Sequence, residues 1–382
     1  MTTSASAASR SWVLMNPGPV NTVPEVRAAL GGPDLCHREP EFTELMNDVR
    51  RKVTALCGGT ARHTSVVLTG SGTAALEAAV GVVPPTGGLL VVDNGHYGQR
   101  LHDIAAALGV RCVRLELGWG TPVDPGRVER ALAADASLTH VALVHHETST
   151  GMLNDVAASA AVAHRHGRQV IVDAISSVGA EPVDIAAHGI DWLVGTANKC
   201  LEGMPGLSFV CAAHTDFAEL ATRAPRSYYL DLGRHYQAQH TAGVPAFTPA
   251  VPVFHAFDKA LDLALAEGPA ARGARYRRLA ERLRAGLTAL GLRILIPPHH
   301  RAVGLTAVAL PEGLTFARLH QELKDEGFVV YAAQEQLAGG YFRLSTMGAM
   351  DAADIDACLA VLARALPSAG AGDPPPRTTE AR

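Results

Sequence analysis

Between about residues 65 and 211, short apolar runs alternate with longer amphipathic stretches. Ser65–Leu68 is apolar and β-branched, and a glycine turn leads from it into a helical pattern at 74–83. Gly88–Asp93 (GLLVVD) reads as a buried strand, followed by a helix near 99–108. Further strands are expected at 111–117, 140–145, Gln169–Asp173, Trp192–Thr196 and 207–211. Asp124 followed by Pro125 marks a helix start, a capping side chain and then proline at the first helical position. That helix runs to Ala134, and a second, at 157–166, is closed by Gly167. Strands alternating with helices predict an α/β fold whose mostly parallel sheet carries helices on both faces. Several strands are apolar throughout, as burial of both sheet faces requires.

The pattern changes after about residue 258. Helices are expected at 254–267 and 272–290, then strands at 292–296 and 305–310. A helix at 316–326 capped by Thr315, strands at 328–331 and Tyr341–Ser345, and a last helix at 352–366 complete the chain. This predicts a large domain over 12–257, whose N-terminal segment packs on a smaller α+β domain over 258–366 with a short, partly antiparallel sheet. Residues 1–11 and the Pro/Gly/Ala-rich 367–382 read as disordered tails.

Composition narrows the function classes. The chain has 382 residues, more than one domain at ~150 residues each. With 33 Lys+Arg against 37 Asp+Glu the net charge is −4, so no basic stripe suggests nucleic acid. No apolar run approaches ~18 residues, so no membrane span is expected, and the N-terminus lacks a signal-peptide core. The expected location is the cytoplasm. The six cysteines (36, 57, 112, 200, 211 and 358) form no C-x-x-C pair and read as free thiols. No metal site is expected.

Three places carry candidate chemistry. Thr69-Gly70-Ser71-Gly72-Thr73 joins a strand to a helix. It is either a tight turn with a hydroxyl cap or an anion cradle of free N–H groups. Asp173 ends an apolar strand, either as a loop cap or at the sheet edge where α/β proteins bind ligands. Lys199 follows the next strand, in Ala197-Asn198-Lys199-Cys200. It is either a solvated charge or a desolvated amine able to form a Schiff base. Taken together, a phosphate cradle, an aspartate and a lysine one strand later match pyridoxal 5′-phosphate. G-x-G-x-x-G after an early strand is missing, which argues against a nicotinamide dehydrogenase.

The sequence resembles class V, fold-type I pyridoxal phosphate enzymes, and more narrowly the 2-aminoethylphosphonate aminotransferases. The stretches that carry the resemblance include MNPGPV (15–20), LCHREPEF (35–42), VLTGSGTAALEA (67–78), NGHYGQRL (94–101) and VHHETSTGMLN (144–154). VDAISSVGAEPVDI (172–185), ANKCLEGMPGLSFV (197–210), RSYYLDL (226–232) and FRLSTMG (342–348) extend it over nearly the whole chain. The resemblance implies a homodimer with shared active sites, acting on an aminophosphonate and pyruvate or alanine. It implies Lys199 as the cofactor lysine and proton shuttle, and Asp173 as partner of the pyridine nitrogen. Tyr97 and Ile175 would cover the two ring faces, and Thr148 would donate to the phenolic oxygen. Ser71, Gly72, Thr73 and Asn198 would line the phosphate region, and Thr248 would reach the neighbouring subunit's phosphate. Arg343, with Gly18 and Arg38, would bind substrate; read without the resemblance, Arg343 is a surface charge on an edge strand. His37-Arg38 is either a phosphonate clamp or a structural pair. HREPEF resembles the form of these enzymes that makes 2-aminoethylphosphonate.

Two departures stand out. Ala250 and Val251 replace the hydroxyls frequent after Pro249, and His96 replaces a small residue beside Tyr97. The rival readings are an alanine- or serine-glyoxylate-type aminotransferase, an enzyme for a modified phosphonoacetaldehyde, and a non-catalytic sensor or scaffold on the same fold, against which the intact Lys199, Asp173 and Arg343 argue. A cysteine desulfurase needs a nucleophilic loop cysteine, and none lies between Cys211 and Cys358.

Overall fold

The structure, a computed structural model, describes residues 12–366. The tails expected at 1–11 and 367–382 lie outside the described residues. Val13–Leu14 (β1) is followed by helices Pro24–Ala29 (α1) and Pro40–Leu56 (α2). Next come His63–Thr69 (β2), Gly72–Val80 (α3), Gly88–Asp93 (β3), His96–Ala107 (α4) and Cys112–Glu116 (β4). Pro125–Ala134 (α5) leads to Leu138–Val144 (β5), then a small hairpin of His146–Glu147 (β6) and Met152–Leu153 (β7). Val156–Arg165 (α6), Gln169–Asp173 (β8), Trp192–Thr196 (β9) and Leu207–Ala213 (β10) complete the first sheet region. Helices His214–Leu220 (α7), Leu232–Tyr236 (α8), Val251–Glu267 (α9) and Pro269–Ala289 (α10) follow. The last part holds Leu305–Ala309 (β11), Phe316–Asp325 (α11), Phe328–Val329 (β12), Tyr331–Ala332 (β13), Tyr341–Ser345 (β14) and Ala352–Ala365 (α12).

The main sheet has seven strands in the order β2-β10-β9-β8-β5-β3-β4. Only β10 runs against its neighbours, so the sheet is mostly parallel, as the alternating pattern predicts. Apolar clusters fill both of its faces. Because the other six strands share a direction, β2, β3, β5, β8 and β9 all end at one edge. The loops TGSGT, NGHYG, HHETST, DAI and ANK therefore meet there.

The second sheet is a three-stranded antiparallel one, β11-β14-β13. The stretch expected as one strand at 328–331 is two, because β12 pairs in parallel with β1 while β13 pairs with β14. The strand expected at 292–296 is reduced to a single bridge, Ile294 to Val308. Met15 donates to Val329 O at 2.9 Å and accepts from Ser345 N at 2.7 Å, so the N-terminal segment is stitched into this unit. Helix α9 buries Phe254, Phe257 and Leu261 in the large core; Met15 already contributes to the small core, and past α9 the chain rejoins it from Leu279 of α10.

Helix α2 is the longest element the residue pattern left unassigned. Pro40 opens it, and Phe42, Met46, Val49, Val53 and Leu56 form its buried face. Phe42 is fully buried, edge-on to Phe254 at 5.1 Å between ring centres. Phe42→Ala should cost about 3–5 kcal/mol, read as a lower urea midpoint at unchanged slope. A loss below about 1 kcal/mol would mean that α2 is not a core element.

Candidate active site

Lys199 lies in the turn after β9, half-buried, its ammonium donating to the carbonyl of Pro17. Gly18 sits against it. A Cβ at Gly18 would lie 2.8 Å from the lysine Cδ, Cε and Nζ, and φ of +122° is itself a glycine conformation. Burial lowers the Lys199 pKa to about 8, with Arg343 and Arg100 adding to the effect and Asp173 opposing it.

Asp173 ends β8, buried, with Oδ1 accepting from Ile175 N at 3.0 Å. Burial raises its pKa to about 6, against the pull of the Ile175 bond, Arg100 and Lys199. Ser71, exposed, precedes the first turn of α3, and Gly72 and Thr73 open that helix. Gly72 abuts Ile175, whose Cδ1 would lie 2.7 Å from an added Cβ. Tyr97 is at the start of α4, with the Arg100 guanidinium over its ring at 4.6 Å. Thr148 is buried in the loop after β6, and Asn198 accepts from Thr196 Oγ1 at 3.0 Å.

Arg343 reaches the site from β14 of the three-stranded sheet. It lies on the central strand of its sheet and is 3% exposed, which excludes the edge-strand surface reading. Nε donates to Ala332 O at 3.0 Å, and Nη1 to Thr148 O at 3.3 Å and Gln334 Oε1 at 3.1 Å. Burial lowers its pKa, opposed by Tyr97 and Glu147.

Two expected residues stand apart within this chain. Thr248 is exposed, two residues before Ala250, whose N–H donates to Thr69 Oγ1 at 3.2 Å. Arg38 is exposed on the turn before α2, and no hydrogen bond or ion pair joins it to Lys199, Asp173 or Arg343.

Several supporting groups had no role assigned from the sequence. His96 Nδ1 pairs with Glu335 Oε1 at 2.7 Å, bridging α4 to the small unit beside Gln334, and its Nε2 bonds Arg100 at 3.1 Å. A buried network holds the lysine turn from below. Arg272 donates twice to Cys200 O, at 3.1 and 3.0 Å, and Tyr276 OH donates to Glu202 Oε1 at 2.7 Å. Glu202 N closes the turn onto Lys199 O at 2.9 Å. Glu147 was legible only as a letter of the ETSTG motif. It is fully buried, and burial raises its pKa to about 7 against its bonds from Ser149 and Gly98. A cavity of about 540 Å³ beside α9 and α10 is lined by Glu202, Glu267, Arg272 and Arg275, charges already paired with one another, so it is not the site of this chemistry.

The donor set suits pyridoxal phosphate. A buried carboxylate stands where a ring N–H cation needs one, an amine of lowered pKa lies one strand away, and a helix start with free N–H groups offers an anion seat. Comparison with known proteins agrees. The Aminotransferase class-V family matches residues 27–357. A 2-aminoethylphosphonate–pyruvate transaminase of Syntrophobacter fumaroxidans is 41% identical over 342 residues, covering 88% of this chain and 91% of the relative. One from Vibrio cholerae is 37% identical over 362 residues, covering 93% and 98%. The crystal structure of alanine–glyoxylate aminotransferase from Nostoc sp. matches with a TM-score of 0.88 at 26% identity, covering 93% of this chain and 95% of that one. The chain is an aminotransferase and belongs to the class V family.

Proposed function

We propose that the protein transfers an amine between 2-aminoethylphosphonate and pyruvate, giving phosphonoacetaldehyde and L-alanine, and equally the reverse. The observation that carries this reading is Arg343, a buried cation from the small unit brought to the Lys199–Asp173 edge with only neutral acceptors. The relatives named for this reaction, at 41% and 37% identity, support the choice of substrates. On the HREPEF stretch we place the enzyme in phosphonate biosynthesis, in the cytoplasm.

Pyridoxal phosphate, when bound, supplies an electron sink for charge developing at the amine-bearing carbon. The chain's own residues do the rest. Asp173 would pair with the ring N–H, and the start of α3 with Ser71, Gly72 and Thr73 would take the phosphate. Asn198 would line that region, Tyr97 and Ile175 would confine the ring faces, and Thr148 would donate to the phenolic oxygen. Lys199, with its pKa near neutrality, can take a proton from the amine-bearing carbon and return it. Arg343 would orient the substrate anion by paired N–H bonds, with Gly18 leaving room beside Lys199. Arg38 would approach a phosphonate only through movement of its exposed turn.

The active form is a homodimer in this reading. Exposed Tyr228 and Tyr229 contact Phe247, next to Thr248, and form an aromatic patch of the kind a second copy covers. Thr248 would then serve the partner's phosphate seat.

Cofactor-loaded protein given 2-aminoethylphosphonate and pyruvate should form alanine, measured by amino-acid analysis. Lys199→Ala should lower that rate by at least ~10³-fold, the scale of losing a general acid–base group. Amine transfer from alanine or serine to glyoxylate, with none from the aminophosphonate, would replace this reading by the glyoxylate-type one. In cofactor-free protein, labelling of Lys199 by an amine-reactive reagent should rise with a midpoint near pH 8, because only the neutral amine reacts and burial lowers its pKa. A midpoint near that of a free lysine, followed by mass spectrometry, would contradict the buried site. Arg343→Lys keeps the charge but loses the paired geometry, so KM for pyruvate should rise at least ~10-fold. An unchanged KM would remove Arg343 from substrate binding.

A further inference from the structure

Glu147 has no part in the reaction as described, yet it is more enclosed than Asp173, at 0% against 3% exposure. Both of its oxygens are used as acceptors. Oε2 takes the backbone N–H groups of Tyr97 at 3.1 Å and Gly98 at 3.2 Å. Oε1 takes the Ser149 N–H at 3.1 Å and the Ser149 hydroxyl at 2.6 Å. The Ser149 oxygen in turn accepts from His96 N at 3.1 Å. The first N–H groups of a helix have no partner inside it. Here Glu147 and Ser149 satisfy those of His96, Tyr97 and Gly98 from outside. An acceptor-only carboxylate also suits the positive end of the helix dipole. The fit is close, since a Cβ at Gly95 would lie 2.4 Å from Glu147 Cγ.

This cap has consequences beyond α4. Tyr97 is itself one of the donors. Thr148 lies between two residues that are both tied to α4. Its carbonyl receives Arg343 Nη1 at 3.3 Å. Helix start, cofactor loop and the small unit's arginine are thus registered through one side chain.

We propose that Glu147 is a positioning residue for the transamination inferred above, holding Tyr97, Thr148 and Arg343 in register around Lys199 and Asp173 without touching substrate. The proposal rests on that reading for the roles of those residues. Glutamine cannot substitute fully. It keeps one acceptor oxygen, and its NH₂ must face either the two α4 N–H groups or the Ser149 N–H, donor against donor.

The test compares Glu147→Gln, Ser149→Ala and the double variant as loaded holoenzymes. Glu147→Gln should keep its far-UV circular dichroism and melt within about 5 °C of the parent. Its kcat for alanine formation should fall at least ~30-fold, as sub-ångström misplacement of reacting groups does. The visible circular dichroism of the bound cofactor, which reports the asymmetry imposed by its neighbours, should fall by at least half per cofactor bound. Ser149→Ala should fall in the same direction by about 3- to 10-fold, and the double variant by less than the product of the two. Parental kcat and visible band in Glu147→Gln would overturn the proposal, as would a loss accounted for wholly by unfolded protein. If Glu147→Gln does not fold, Ser149→Ala decides, and parental kcat and band there overturn it. A parent that binds the cofactor but does not use the aminophosphonate would sink the substrate reading instead; the band comparison would still decide the role of Glu147.

Discussion

The architecture depends on burying opposite charges together at one edge of a sheet. Asp173 and Glu147 are buried carboxylates, Arg343 is a buried cation, and Lys199 is a half-buried one whose pKa burial lowers. A single charge in such a place costs several kcal/mol. Here each group carries the mark of that cost, the carboxylates with raised and the cations with lowered pKa values, and the opposite charges temper it. Asp173 pulls the lysine back up, and Glu147 does the same for Arg343. The sheet makes this possible, because strands that share a direction deliver their ends, and the loops beyond them, to the same line.

The balance does not belong to one sheet. Pro17 and Gly18 reach Lys199 from a segment whose previous residues pair with β12 and β14. Arg343 crosses to Thr148 from β14, and Glu335 crosses to His96 from the loop beside it. These contacts join the small unit to the lysine turn, the loop after β6 and α4 in turn. A shift between the two units would therefore loosen the lysine's neighbour, the arginine's seat and the start of α4 together. His96 is one of the positions where this chain departs from the motif it otherwise follows, and its hydrogen bond to Glu335 gives that departure a structural reason.

Strands were legible wherever both faces are buried. Gly88–Asp93, Gln169–Asp173, Trp192–Thr196 and Tyr341–Ser345 match expectation to the residue, because an apolar run bounded by turn residues admits few other readings. Helix starts were less visible. α3 and α4 begin at Gly72 and His96, two or three residues earlier than their patterns suggest, since Gly72, Gly98 and His96 are weak helix formers and the cap of α4 comes from Glu147 and Ser149, about fifty residues away. Helix α2 hid its apolar face among Thr, Asn, Asp, Arg and Lys residues. The site motifs were legible as local strings. Their supports were not: Glu335 lies 239 residues from His96, and Arg272 lies 72 from Cys200, so no local pattern links them.

The two buried arginines show how structure separates a support from a binding group. Arg272 is 2% exposed and pairs with Glu202 at 3.2 Å and Glu267 at 2.7 Å. Its charge is already neutralised by carboxylates, and its remaining bonds fasten the Cys200 carbonyl. Arg343 is equally enclosed, but its partners are two backbone carbonyls and an amide oxygen. These orient the guanidinium and leave its charge without a carboxylate in hydrogen-bond contact. A buried cation held in this way is costly to the fold, and that cost is offset when an anion arrives. The same neutral acceptors can give way to an incoming anion, because no fixed ion pair has to break first. An arginine of this kind, delivered from the small sheet to the lysine beside the large one, is suited to binding an anion.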